Sequence, residues 1–250
     1  MTTNGKLTGR VALITGASRG LGRAMALAFA REGADLVLCA RGEDELKQVA
    51  AEARERGSNV LTVAADMALT RDVERLVVLA LERFDRVDIL VNNASQLGPT
   101  PLPYLIDYPP HVFSDVMKVN VMAPFHLIWS LLGGMIQRRD GVIINVSSDV
   151  AVNGYPGWGA YSVSKAALDG LTRTWATELT GTGVKIYAVD PTDMNTDMHR
   201  AAVPEDDPAS LADPADIAEA FVALATGVVD PALGRLEATQ LLKHAEPAGA

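Results

Sequence analysis

The chain has 250 residues, of which 48% are apolar, and its 31 acidic against 22 basic residues give a formal charge of −9. This length and apolar content suffice for one substantial core, so a single domain over residues 1–250 is expected. Interspersed charge with no basic stripe speaks against nucleic acid as a partner, and no apolar run reads as long or uninterrupted enough to span a membrane.

In chain order, the first strand is expected at "RVALIT" (10–15), followed by "TGASRGLG" and a helix over 20–32. Gly16 permits a tight turn, Gly20 lets backbone approach a pyrophosphate, and Gly22 lets helix and strand pack closely, while the helix N-terminus offers free N–H groups to an anion. The spacing G-x-x-x-G-x-G differs from the G-x-G-x-x-G dinucleotide fingerprint, and an ordinary glycine-rich turn is the alternative. Ser18, Arg19 and Leu21 lie inside this turn and join the candidate phosphate-binding set.

The second strand, "ADLVLCA" (34–40), carries the lone cysteine, Cys39, which excludes an internal disulfide and suits a reducing, cytoplasmic setting. At its end stands Arg41. An acidic residue there would hold ribose hydroxyls, whereas arginine pairs with a 2′-phosphate. Arg41, with Arg19 as a second cation, therefore points to NADP(H) over NAD(H), unless both are merely solvated. After a helix over 43–56, the strand "NVLTVAA" (59–65) delivers Asp66 and Met67. Asp66 could accept from an adenine amino group or simply close a turn.

A helix over 70–85 precedes the strand "VDILVN" (87–92) and "NNAS", where Asn93 and small Ala94 leave room for a ribose against backbone. A helical stretch over about 111–138 leads to "GVIINVS" (141–147) and a serine hydroxyl in "NVSSDV". Then come a Gly/Pro-rich loop, a helix over 160–180, the strand "VKIYAVD" (184–190), a helix over 214–226, a short edge strand at about 234–238 and a frayed tail at 244–250. Alternation of apolar strands with helices indicates a parallel sheet covered on both faces, a doubly wound α/β fold whose ligands bind beyond the carboxyl ends of the strands. The scattered His111, His126, His199 and His244 show no ligand spacing, so no metal is expected.

Within "WGAYSVSKAALDG", Tyr161 and Lys165 are four apart and share a helix face. A phenol near its reference pKa of about 10 shuttles protons poorly at neutral pH, and an adjacent cation pulls it toward the working range. Small neighbours leave space for cofactor and substrate. Alone, such a pair also arises by chance on surface helices.

Together these motifs resemble the short-chain dehydrogenase/reductase family over about residues 7 to 198. The carrying residues are "TGASRGLG", Asp66, "NNAS", Asn120 in "KVNVMAPF", Ser148 in "NVSSDV", and Tyr161 with Lys165 in "YSVSK". The resemblance implies a Rossmann-like sheet of about seven strands in the order 3-2-1-4-5-6-7. It implies hydride transfer between nicotinamide and a carbonyl or carbinol carbon, with Tyr161 as acid in reduction and base in oxidation. Ser148, thirteen residues before Tyr161, would hold the substrate carbonyl. By the same resemblance, Asn120 orders a proton-relay water, and Lys165 binds the nicotinamide ribose while lowering the Tyr161 pKa.

Three features depart from the family pattern. Ser95 stands where glycine is usual, putting a side chain into the nicotinamide-side turn. Thr192 replaces the glycine after Pro191 in "DPTDMNTDMHR", where Pro191, Thr192 and Met194 are expected to meet the nicotinamide. Asp190, Asp193 and Asp197 make this segment acidic, either as part of a substrate lid over about 192–213 or as solvated loop. The C-terminus lacks the family's glycine pair, so a homodimer through 111–138 and 160–180 is expected, with a homotetramer as the alternative.

The expected substrate wall, Gln96, Leu97, Val150, Tyr155, Trp158, Met194, Met198 and His199, is largely apolar and suits a hydrophobic ketone, aldehyde or secondary alcohol. Reduction of a 3-oxoacyl thioester is a second reading, with Arg138 and Arg139 near one position of a basic patch. Thr182 occupies the place of the other cation, and the acidic lid would repel an acidic carrier. A third reading is a non-catalytic NADP(H)-binding sensor or scaffold, which has no need of Ser148, Tyr161 and Lys165 together.

Overall fold

The computed structural model describes residues 5–229 and 235–245. Val11–Thr15 (β1) is buried at every position, as a strand covered on both faces must be. Its residues alternate between two cores. Ala12 and Ile14 join one apolar cluster, and Val11 and Leu13 join the other. The same division sends Leu36 and Leu38 of β2 (Asp35–Ala40) to the first cluster and Val37 and Cys39 to the second.

β3 (Val60–Ala64), β4 (Ile89–Asn92), β5 (Gly141–Val146), β6 (Val184–Asp190) and β7 (Arg235–Glu237) complete a parallel sheet in the order β3-β2-β1-β4-β5-β6-β7. This is the expected order. β1 pairs with both β2 and β4, so the strand order reverses between β1 and β4, opening a crevice at their carboxyl ends.

On one face, α1 (Gly20–Arg31), α2 (Glu43–Glu55) and α8 (Pro214–Ala225) bury Phe29, Leu46 and Phe221 against the sheet. On the other lie α3 (Thr70–Phe84), α4 (Pro110–Met117), α5 (Ala123–Arg138) and α6 (Gly159–Glu178). There Leu76, Leu127 and Leu131 fill the second core.

The helix expected over 111–138 is interrupted by a wider π turn at Lys118–Met122. Such turns are frequent at functional sites. This one carries the buried Asn120. The whole run Pro110–Arg138 reaches 29 residues, and although no apolar run in the sequence reads as a membrane span, by length and composition this helix could cross a bilayer. Its apolarity is that of a core helix, because 56% of its most apolar window is buried within the fold.

Several elements went unforeseen. The stretch expected as a lid contains α7 (Asp197–Ala202), capped by the Thr196 hydroxyl accepting from His199 N at 3.2 Å, and a single 3₁₀ turn at Pro208–Ser210. The tail expected to fray from 244 instead begins inside α9 (Ala238–Ala245), and 246–250 lie outside the described residues.

Candidate active site

The crevice between β1 and β4 is tied by short-range bonds that the turn sequence makes possible. Thr15 Oγ1 donates to Val91 O and accepts from the backbone N–H groups of Asn93 and Ala94, both at 3.0 Å. Asn93 Nδ2 returns the tie, donating to Thr15 O at 2.9 Å and Gly16 O at 3.2 Å. This leaves no room for a side chain at Gly16 or Gly22. A Cβ on Gly22 would run into the Gly16 carbonyl and the Asn93 amide, and Gly16 itself sits at φ +67°.

Above the turn lies a cavity of about 420 Å³. Gly16, Ser18, Arg19, Gly20, Leu21 and Gly22 line it, with Arg41 from the end of β2, Asp66 and Met67 beyond β3, and Asn93 and Ala94 beyond β4. Tyr161 and Lys165 enter from α6, and Pro191 and Met194 from the loop after β6. The first turn of α1 begins at Arg19 with no side-chain cap, so its N–H groups are free for an anion at the mouth of the cavity. Crowded glycines, an uncapped helix start and two arginines on one wall fit a dinucleotide phosphate.

Individual placements refine this picture. Arg19 is 3.5 Å from Asp197 across the mouth, and Glu45 shares the Arg41 wall. Asp66 closes its turn, accepting from Ala68 N at 2.9 Å, while also facing the cavity. Thr192 departs from expectation by lining only the adjoining cavity. It adopts φ +66°, the left-handed conformation that glycine holds without strain, with its N–H donated to Asp190 Oδ1 at 3.0 Å. Gln96, expected on the substrate wall, lines the dinucleotide cavity instead. Its backbone is clamped by Asn120, whose Oδ1 accepts from Gln96 N at 2.8 Å and whose Nδ2 donates to Gln96 O at 3.0 Å and Ser164 Oγ at 2.9 Å. Asn120 is buried and lines neither cavity.

The adjoining cavity, about 400 Å³, brings together Ser148, Val150, Tyr155, Trp158 and Met198 as expected. Ser148 starts a short turn, its hydroxyl donating to Asp149 Oδ1 at 3.0 Å. Tyr161 belongs to both cavities and stands at their junction, with the Trp158 ring 5.8 Å from its own.

The electrostatics of Tyr161 run against the expected direction. Burial pushes the phenol up to about 12, while the nearby Ser95 and Ser148 hydroxyls pull it back. Lys165 is itself lowered to about 8 by burial. Its Nζ donates to Val146 O at 2.7 Å and lies over the Tyr161 ring rather than at the phenol oxygen, so its charge does not outweigh desolvation.

The wall of this second cavity, expected as the substrate wall, is not largely apolar. Asp149, Asp190, Asp193 and Asp206 line it alongside Leu97, Val150 and Met198, and among the described residues no lysine or arginine does. Nor is Asp190 a lid residue: it ends β6, is 8% exposed, and bonds Arg235 Nη2 at 2.6 Å. His199 bridges Asp206 at 2.8 Å and Asp193 at 3.7 Å. Arg138 and Arg139 do not flank this site. Arg138 donates to Val87 O and Arg139 to Gly181 O, just before β4 and β6, at the amino edge of the sheet.

The family model for short chain dehydrogenases matches residues 10–207. The chain belongs to that family. It is an NAD(P)-dependent oxidoreductase acting on CH–OH or C=O groups. Among curated relatives, the 3-oxoacyl-[acyl-carrier-protein] reductase FabG of Thermotoga maritima is 34% identical over 193 residues, 77% of each chain. A putative short chain dehydrogenase from Pseudomonas syringae superposes with a TM-score of 0.86 at 35% identity, covering 95% of this chain and 98% of that one. One from Shigella flexneri, solved as a complex with NADP, gives 0.84 at 30% identity, over 95% and 100%.

In this short chain dehydrogenase, several site residues escaped sequence reasoning. Asp149 and Asp206 line the second cavity, and Ser147 lies at the junction of the two cavities. Behind the site, Asp169 and Arg235 are 3.5 Å apart. The adjacency of Asp149 to Ser148 could have been read from the sequence. The others depend on chain segments that meet only in the fold.

Proposed function

We propose that the protein uses NADP(H) to interconvert a carbonyl and an alcohol, a secondary one in the case of a ketone, on a small molecule, with Tyr161 exchanging the proton. The observation that carries this reading is the position of Tyr161 at the junction of the dinucleotide cleft and the second cavity, with the Ser148 hydroxyl on the substrate side. Nicotinamide, when bound, supplies or accepts the hydride. Tyr161 holds its proton at neutral pH and is set to donate it to a carbonyl oxygen that is gaining negative charge. Ser148, on turning its hydroxyl from Asp149, would offer a second donor to the same oxygen. Lys165, buried beside the phenol, lines the dinucleotide cleft and would bind the nicotinamide ribose there, and Asn120 fixes the Gln96 backbone at its rim.

Arg19 and Arg41 on the dinucleotide wall support NADP(H) over NAD(H), in keeping with the NADP complex of the Shigella relative. Reduction of a carrier-bound 3-oxoacyl thioester is less well supported here, because four carboxylates face the substrate side and Arg138 and Arg139 sit at the opposite sheet edge. Residues 192–213 fit a substrate lid within one domain. Exposed Trp129 and Ile136 on α5 and Val163 on α6 fit a homodimer through these helices. The buried Cys39 thiol, pushed up to about 12, suits a reducing cytoplasm.

The test follows NADPH absorbance against a panel of small ketones, aldehydes and acyl thioesters, repeated with NADH. Turnover of small carbonyls with NADPH is expected. Faster turnover with NADH would overturn the cofactor assignment, and silence across the panel together with tight NADPH binding would favour a sensor.

A further inference from the structure

The helix face that carries Tyr161 and Lys165 continues for one more turn. Positions 161, 165 and 169 of α6 recur at intervals of four and share a side, and the third is Asp169, 2% exposed. Neither of its carboxylate oxygens completes a well-aligned hydrogen bond, an unusual state for a buried ionisable group. Opposite charge reaches it from the last strand. Arg235 Nε stands 3.5 Å from Asp169 Oδ2, and Arg235 Nη2 bonds Asp190 Oδ2 at 2.6 Å. Lys165, Asp169, Arg235 and Asp190 therefore form a row of alternating charge between the phenol and β7, most of it withdrawn from water.

A buried ionic row is an inefficient way to hold a fold together, since well-packed apolar residues of similar volume are commonly as stable or more so. Its position directly behind Lys165 gives it another use. We propose that Asp169 is a positioning residue that keeps the Lys165 ammonium charged beside Tyr161, and that Arg235 sets how strongly it does so.

The surroundings of Lys165 support this arrangement from every side. On α6 it faces Tyr161 and Asp169, with Arg173 acting on Asp169. From β5 it meets only the neutral Val146 carbonyl, and Asp149 beyond that strand acts on Tyr161. From β6 comes Asp190, and from β7 Arg235. Burial lowers the lysine, and Asp169, then Asp190, oppose that effect. Burial likewise raises Asp169, against the pull of the Ser147 hydroxyl, Arg235, Lys165 and Arg173. The consequence for catalysis rests on the reading of Tyr161 and Lys165 given above, but the charge coupling does not.

The experiment titrates the Lys165 side chain by NMR in the full-length protein without added nucleotide, using ¹³C-labelled lysine, for wild type, Asp169→Asn and Arg235→Gln. Removing the Asp169 charge is expected to weaken proton affinity at Lys165 by about tenfold, one pH unit downward. Removing the Arg235 charge is expected to move it upward, and Arg235→Lys to restore the wild-type midpoint. A merely structural pair would respond differently, because loosened packing admits water and moves both variants up toward a solvated lysine. Should Asp169→Asn fail to fold, the double variant Asp169→Leu/Arg235→Leu takes its place, and there too the midpoint is expected to fall. Shifts of the same sign in both single variants, an unmoved midpoint in either, or an unmoved or raised midpoint in the double variant would overturn the proposal. An enzyme silent on every substrate would count against the proposed function and leave this titration intact.

Discussion

Lys165 Nζ lies 5.4 Å from the centroid of the Tyr161 ring and gives its hydrogen bond to Val146 O instead of to the phenol. The two groups share one buried site in which both resist ionisation, the phenol rising to about 12 and the lysine falling to about 8. Desolvation explains both directions, because it penalises the charged form of each.

This pair makes stability depend on pH in a signed way. Lysine in the unfolded chain holds its proton to about 10.5, above its folded value of about 8, so stability rises as pH climbs between them and is lost as pH falls back. Tyr161 acts in reverse, lowering stability between about 10 and 12, where only the folded state keeps the phenolic proton. Urea denaturation of wild type and Lys165→Met at pH 7 and pH 10 should differ in slope, the wild type gaining about 2 kcal/mol more over that interval. Parallel curves would show that Lys165 titrates like a solvated lysine.

Replacing the phenol tests its proton role separately from binding. Tyr161→Phe should lower turnover by roughly 10²- to 10⁴-fold, the usual contribution of a positioned acid or base. NADPH binding, followed by nucleotide fluorescence, should change little. Retention of most activity would remove Tyr161 from that role.

Arg41 is an exposed cation on the dinucleotide wall, as is Arg19 at the turn. A charge-assisted bond to a 2′-phosphate is worth about 1.5–3 kcal/mol, so Arg41→Ala should weaken NADPH binding by about tenfold or more. NADH binding should be nearly unaffected. Equal losses for the two nucleotides would mean that Arg41 does not read the 2′ position.

Thr192 is a β-branched residue at φ +66°. Holding it there costs on the order of 1–2 kcal/mol, of which the greater unfolded-state freedom of glycine would offset about half. Thr192→Gly should therefore raise unfolding stability by up to about 1 kcal/mol in chemical denaturation. A clear loss of stability would show that the threonine side chain makes contacts outweighing its strain.

Much of the fold was legible because its signals are local. Six apolar runs marked the first six strands, since a strand covered on both faces needs nearly continuous apolar residues. Gly16 and Gly22 were legible because any side chain there would collide with backbone. Asn120 was singled out in the sequence, but its clamp on Gln96 and the π turn that carries it were not, because both depend on a loop arriving from β4.

By itself the sequence determined the element order, the glycine turn, and the placing of Tyr161 and Lys165 on one helix face, all of which follow from periodicity and steric demand along neighbouring residues. Tertiary structure alone decided which way those two groups titrate, that Asp190 is buried against Arg235 instead of lining a lid, and that Arg138 and Arg139 face the wrong sheet edge. The reason is physical: desolvation and charge pairing are set by whichever distant segments pack around a group, and no local spacing encodes them.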